Sequence, residues 1–454
     1  MKVLRLSLVL SLLAGVSPAA RAQWQSQNIS FGQGPAIIGD LSIVSPTVVF
    51  ATCKHPTVAM LAGYNSLART NDGGTTWAYS SYNGYPSNVS PQAAAVSAVD
   101  ANNVWVGVFS VATVSSADGG GYVLYSRNGG TTWSYQSTAA FAGNGAFLNN
   151  LHMYDLSTGV VLGDPNGGSF EVYTTSNGGA QWARVPAASL PAPLSGETGR
   201  VGAAAYAGSS AWFGTSQGRA YYSSNKGLAW QVADTHLPEV KQLAFSDALN
   251  GLALYSDAAT GTITLSRTQD GGQTWTAFAP GGMVYPTSLA SVPGRPGTFV
   301  STGQTTSTAG SSRTNNYGLT WTSIDQGTPR GKVAFYDAQT GWAGGTYRIG
   351  MSGGIYRSVA TLLPSRAAVS TPTAEVAPNP VRDGRLRLQL PAGSPAQALI
   401  LFNALGQPVL THAAPAAPVG TTLDLDVKGL PTGVYLLRAA GGGAVPAQQR
   451  VVLP

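Results

Sequence analysis

The side chains of this chain that could do chemistry are few and scattered, since charged residues make up only 10% of its 454 positions. Two aspartates stand apart: Asp164, in the run Gly163, Asp164, Pro165, Asn166, and Asp257, in the run Ser256, Asp257, Ala258, Ala259. Glycosidic hydrolysis uses two carboxyl groups, one as acid and one as base or nucleophile, so these are the candidates for such a reaction. His152, with Asn149 and Asn150, is a further candidate for contact with a ligand. Arg200, Lys241, Tyr285, Arg330 and Lys332, with Glu197 and Glu239, lie in or just after the loops between repeats and are further candidates for contact with a ligand. Each of these also has a plain reading as a solvated or locally paired loop residue, because loops are polar by default, and Asp164 before Pro165 is a good turn starter. No residue is assigned a catalytic role. No His, Cys or Glu cluster has metal spacing, and no phosphate loop or nucleophile elbow is present, so neither metal nor cofactor is expected.

The elements that must position these residues are written in a phrase used six times, first as Thr70, Asn71, Asp72, Gly73, Gly74, Thr75, Thr76, Trp77. Every copy has a hydroxyl residue seven places before its tryptophan, Asp or Asn five before and Gly three before. The Asx and Trp positions are Asp72 and Trp77, Asn128 and Trp133, Asn177 and Trp182, Asn225 and Trp230, Asp270 and Trp275, and Asn316 and Trp321. An Asx side chain can hydrogen-bond backbone further along a turn, and Gly accepts the positive φ that a tight turn needs. The tryptophans are 56, 49, 48, 45 and 46 residues apart, a period that in a strand-rich chain marks propeller blades, one four-stranded sheet per repeat. Asp100, Asp155, Asp247 and Asp337 recur in the first hairpin turn of their repeats, so with Asp72 and Asp270 they read as turn chemistry.

The phrase resembles the Asp-box, or bacterial neuraminidase repeat, of sialidase-like, sortilin-like and photosystem-assembly-factor-like propellers. In that family the box lies at the blade rim, far from the central face, so the resemblance implies a fold more strongly than an activity. Sialidase chemistry would need converging arginines. Arg69, Arg127, Arg267, Arg313 and Arg357 instead precede boxes or the seventh-repeat equivalent, and the Arg-Ile-Pro phrase is missing, Arg348 and Ile349 being followed by Gly350.

Counting apolar second strands gives seven repeats against six boxes. The seventh ends near Tyr356 and Ser358 with no tryptophan after it, whereas Trp24 stands in register 53 residues before Trp77. Residues 23–31 are therefore expected to supply the outer strand of the last blade, leaving fewer open sheet edges. The fold expected is all-β: a seven-bladed β-propeller over residues 23–360 closed by the N-terminal strand, a linker over 361–375, and a small immunoglobulin-like β-sandwich over 376–454. In such a ring Asp164 and Asp257 follow second strands and should face the binding side, and His152, Asn149 and Asn150 should line the channel.

The tail is similar to the C-terminal sorting domain of the type IX (Por) secretion system. The resemblance is carried by Pro378, Asn379 and Pro380, by Gly406 after Leu405, by Gly433 and Tyr435 after Pro431, and by Arg450 before Val451 and Val452. It implies the type IX secretion machinery as a partner, and passage across an outer membrane to the exterior or the cell surface.

Residues 1–22 read as a secretory signal, with Lys2 and Arg5, an apolar run from Leu6 to about Val16, and Ala20, Arg21, Ala22 before the cut. Removing them lowers the net charge from +6 to +3, and no basic cluster with interleaved aromatics argues for nucleic acid. Cys53, the only cysteine, lies among Val48, Val49, Phe50 and Ala51, so a buried strand thiol is expected and no internal disulfide can form. The function expected is an exported, monomeric, non-catalytic propeller that binds a carbohydrate or protein. The alternatives are a carbohydrate-active hydrolase and a structural protein of the cell envelope.

Overall fold

Hydrogen bonding in the repeated turns explains why their residue types recur. In all six, the leading hydroxyl donates to the Asx Oδ1 at 2.8–3.0 Å. It also accepts the N–H of the glycine three places before the tryptophan, at 2.8–3.1 Å. The same Oδ1 accepts the N–H of the residue just before the tryptophan, at 2.9–3.0 Å. Asp and Asn offer this oxygen equally, so either serves. The glycine has φ between +83° and +94° and lies against a neighbouring sheet: a Cβ on Gly74 would come within 2.6 Å of Trp342, and one on Gly227 within 2.7 Å of Val160. Each turn thus closes a hairpin and sets the distance between two sheets.

The computed structural model describes residues 23–27, 36–54, 66–82, 91–110, 121–139, 141, 147–347, 354–359, 375–376, 379–390, 397–403, 407–414, 421–440 and 449–454. The chain divides into two units, Met1–Leu363 and Pro364–Pro454. The expected signal at 1–22 and nearly all of the expected linker lie outside the described residues. Glu375, placed in the linker on sequence grounds, instead opens the strand Glu375–Val376, which pairs with Arg385–Leu390.

Among the described residues the first unit forms seven antiparallel sheets. Their first strands are Ala36–Ile43, Pro91–Ala98, Leu148–Met153, Gly199–Ala207, Gln242–Phe245, Ser288–Ser291 and Val333–Phe335. Six sheets have four strands, and the first has a fifth, Thr346–Tyr347, at its edge. The last sheet is made from both ends of the unit, because Trp24–Ser26 pairs with Ile355–Ser358 and places Trp24 opposite Ser358. Residues 28–31, expected to belong to the same strand, lie outside the described residues.

Apolar side chains from each pair of consecutive sheets form a shared core. Phe50 and Leu67 of the first sheet pack with Val104 and Val106 of the second, and the pattern continues to Val300 of the sixth sheet with Val333 and Trp24 of the seventh. The sequence of cores then returns to its start, where Trp342 and Ile355 of the seventh sheet pack with Ile38 and Val49 of the first. Polar contacts follow the same cycle: Trp105 Nε1 donates to Gly178 O at 3.2 Å, Trp212 Nε1 to Gly271 O at 2.7 Å, and Arg357 Nη1 to Gly73 O at 3.0 Å. Cys53 is fully buried in the core between the seventh and first sheets.

The second unit has one three-stranded and one four-stranded sheet among its described residues. Leu386, Leu388 and Leu425 of the smaller share a core with Leu399, Leu401, Leu437 and Val451 of the larger, as alternating strands of a two-sheet sandwich do. Asn379 Oδ1 accepts the N–H of Val452 at 3.0 Å, and the Tyr435 hydroxyl donates to Pro431 O at 2.7 Å. Asn379 and Tyr435 of the tail motifs therefore bond within the second unit itself. Pro378 and Gly406 lie outside the described residues.

Candidate functional site

First strands crowd together, and a regular strand there would send successive side chains only into the two neighbouring cores. Register shifts change this. The first strand of sheet one is irregular between Ile38 and Leu41, that of sheet two between Ala93 and Ala95, that of sheet three between Leu148 and Asn150, and that of sheet four between Gly199 and Ala204. A bulge re-aims a side chain without unfolding the strand.

Beside the irregularities of sheets one, two and four lies a cavity of about 230 Å³, whose polar lining includes Asp40, Lys54, Gln242, Ser288, Gln304 and Lys332. Asp40 sits at the first bulge. Its N–H donates to Thr52 Oγ1 at 2.8 Å, its Oδ2 accepts the N–H of Val96 at 3.0 Å, and its Oδ1 pairs with Lys332 Nζ at 3.1 Å. One carboxylate therefore joins sheets one, two and seven. Lys54 ends the second strand of sheet one and is partly buried. Burial pushes its ammonium below the usual lysine range, and Asp40 opposes that shift.

Of the residues expected to bind, Lys332 alone lines this cavity. Asn150, Asp164 and Arg200 are brought together beside it, at the border of the third and fourth sheets. Asn150 Nδ2 donates to Arg200 O at 3.1 Å, and its Oδ1 accepts the N–H of Gly202, a cavity residue, at 3.3 Å. Asp164 Oδ1 accepts from Asn149 Nδ2 at 2.7 Å and from the N–H of Gly199 at 2.8 Å. Burial raises the Asp164 carboxyl above the usual carboxylate range, opposed by those two bonds and by Arg200. Arg200 itself pairs with Glu239 at 2.6 Å, while its buried Nε has no hydrogen-bond partner among the described residues.

The remaining candidates are placed elsewhere. His152 was expected on the channel wall, but it stacks on Tyr206 with ring centroids 4.1 Å apart and meets the edge of Tyr154 at 4.7 Å. Burial against those rings pushes the imidazole down to about 4. Asp257 was expected to face a ligand alongside Asp164, but it caps its own exposed turn by accepting the N–H of Ala259 at 2.8 Å. Lys241 Nζ donates to Ser256 O at 2.6 Å and lies over the Tyr255 ring; its neighbour Gln242 is the one that reaches the cavity. Tyr285 is buried, with its hydroxyl donating to Asp325 O at 3.3 Å. Arg330, 3% exposed, pairs with Asp325 at 2.6 Å and lies over both Trp24 and Tyr356. Trp24 Nε1 donates to Ser311 Oγ at 3.0 Å, and that hydroxyl donates to Asp325. Arg330 and Tyr285 therefore belong to the joint where the N-terminal strand enters the last sheet. Glu197 is likewise structural, buried against Arg219 and the Thr215 hydroxyl.

Sequence reasoning missed Asp40, Lys54, Gln242 and Gln304. A signal for the first two was present: a lone acid after Ile37, Ile38 and Gly39, and a lone base closing the apolar run from Val48 to Cys53. Among the described residues no group of three or more His, Cys, Asp or Glu side chains could hold a metal ion, and no helix is long and apolar enough to cross a membrane.

No family model matches this chain, and no curated protein does. Solved structures do. YCF48 from Cyanidioschyzon merolae is similar at 14% identity with a TM-score of 0.52, over 75% of this chain and 99% of that one. YCF48 bound to D1 peptide is similar at 16% identity with a TM-score of 0.50, over 74% of this chain and 97% of that one. A chain of the mitotic checkpoint complex is similar at 13% identity with a TM-score of 0.50, over 79% of this chain and all of that one. At these identities the likeness concerns fold alone, and with the four-stranded antiparallel sheets it makes this chain a β-propeller protein.

Proposed function

We propose that this protein is a seven-bladed Asp-box propeller that binds a carbohydrate or protein ligand at the cavity between its first strands, without transforming it. The observation that carries this reading is the cavity's polar composition. Amide, hydroxyl and ammonium groups converge there, while Asp40, the one carboxylate among the described lining residues, is matched by Lys332. A glycosidase needs two carboxyl groups about 5–9.5 Å apart across the scissile bond. Asp164 and Asp257 do not form such a pair, since one is bonded between sheets three and four and the other caps a turn. Preformed concave sites with a few placed polar groups are where ligands normally bind, and one structure of similar fold holds a peptide.

In the same proposal residues 1–22 are a secretory signal, and the sandwich is an immunoglobulin-like type IX sorting domain that delivers the propeller to the exterior or the cell surface. A chain lacking residues 376–454 should then be retained in the periplasm, as fractionation would read. Binding is tested with a glycan array and a peptide panel beside chromogenic glycosides. Lys332→Ala removes a lining side chain and leaves Asp40 without its partner, so it should weaken the captured ligand about tenfold or more. Glycoside turnover abolished by Asp164→Asn would overturn the non-catalytic reading.

A further inference from the structure

The cavity's charges do not cancel. Lys332 and Lys54 both line it, Asp40 is committed to Lys332 at 3.1 Å, and among the described residues Lys54 forms no ion pair. The segment 55–65 that continues from Lys54 contains no Asp or Glu. A partly buried ammonium is costly unless closely paired, Asp40 favours this one only from beyond ion-pair distance, and the chain has built room for it. A Cβ on Gly39 would come within 3.1 Å of Lys54 Cε and 2.9 Å of Thr52 Oγ1, so glycine at the bulge lets the lysine stem cross the strand toward the cavity. Beyond the stem, the ammonium lies 6.0 Å from the Phe109 ring centroid, the outer limit of a useful cation–π contact.

The surroundings select among anions. At about 230 Å³ the space suits one side chain more than a polymer segment, and its apolar lining is aliphatic, from residues such as Ile37, Ile38, Ala94 and Val201. No aromatic ring is among the described lining residues to stack on the face of a sugar. Gln242 adds an amide donor suited to a carboxylate oxygen.

We infer that this cavity receives an acidic side chain of a protein partner, an Asp or Glu whose carboxylate pairs with the Lys54 ammonium and accepts from the Gln242 amide. The inference rests on the reading of the cavity as the binding site and narrows its ligand. Charge-assisted N–H to carboxylate bonds are about twice as strong as neutral ones, so the carboxylate should decide recognition.

The test uses the full chain without residues 1–22, an immobilised positional-scanning decapeptide library in which each Asp or Glu peptide has its Asn or Gln twin, and polygalacturonate beside neutral galactan. Kd is measured at low and high NaCl. Acidic peptides should bind about tenfold or more tightly than their amide twins. That preference should vanish in Lys54→Met, survive in Lys54→Arg and shrink in Gly39→Ala, with thermal midpoints confirming that each variant folds. Equal binding of acid and amide twins, still weakened by Lys332→Ala, would overturn the acidic-side-chain inference and leave the binding cavity standing. Capture of polygalacturonate without any peptide would overturn the protein partner. Silence across the whole panel would overturn the cavity reading and this inference together.

Discussion

Cys53 lies where the seventh and first sheets share a core, and burial pushes its thiol up to about 12. The thiolate is the reactive form, so the folded protein should not react with a thiol reagent such as a maleimide at neutral pH. Labelling should appear in step with unfolding, as mass spectrometry would follow; rapid labelling of native protein would show that this joint opens. His152 supplies a pH dependence. Its folded pKa of about 4 lies below the ordinary histidine value of about 6.5, so between those values the unfolded chain binds more protons and stability falls as the pH is lowered. His152→Phe keeps a ring against Tyr206 and Tyr154 while removing the titration. Denaturant midpoints for this variant should change less between pH 7 and 4.5 than those of the parent. Side chains with a local turn role were legible in the sequence: Asp100, Asp155, Asp247 and Asp337 each accept backbone N–H groups two and three residues on, at 2.6–2.9 Å. Asp40 and Lys54 were not, because the bulge between Ile38 and Leu41 and the glycine within it, far from the lysine in sequence, decide where they point.

The repeated turn is the element that translates best from residue types to structure, because all its bonds fall within eight residues. Four of six copies already carry Asn at the Asx position, and its Oδ1 accepts the same N–H as Asp does. Asp72→Asn should therefore leave the neutral-pH midpoint nearly unchanged. Its effect should appear in acid, because hydrogen bonds from the Thr76 hydroxyl and N–H hold the Asp72 carboxyl down to about 2. The stability from that carboxylate is present above its unfolded pKa of about 4 and lost as the pH falls toward 2, so the variant should show a flatter acid limb. Thr314→Val is a different case. It deletes a donor to Asn316 and strands the buried Gly318 N–H, bonded at 3.1 Å, so a loss of about 1–3 kcal/mol is expected in denaturant titration. First strands were less legible than these turns. Their period-2 patterns marked where strands run, but a register shift reassigns side chains between core and cavity and has no sequence signature of its own.

At the scale of the molecule, two cores that share no residue, one through the seven sheets and one in the sandwich, predict that a chain ending at residue 363 keeps the melting midpoint of the propeller unit. The pairing of the two ends of that unit was readable from seven second strands against six boxes, a seventh repeat with no tryptophan after Ser358, and Trp24 in register with the boxes. The latch behind the pairing was not. Arg330 lies between Trp24 and Tyr356, with Asp325 and Ser311 completing the contact, and these residues come from four separate stretches of sequence. The cavity depends on this joint, because Lys332 stands two residues from Arg330 and meets Asp40 of the first sheet. The most direct measurement is the thermal and denaturant unfolding of a chain starting at residue 28 against one starting at residue 23. Loss of the Trp24 contacts alone should cost about 3–5 kcal/mol, so a large fall in the midpoint is predicted. Indistinguishable unfolding of the two chains would contradict a ring closed by its N-terminal strand.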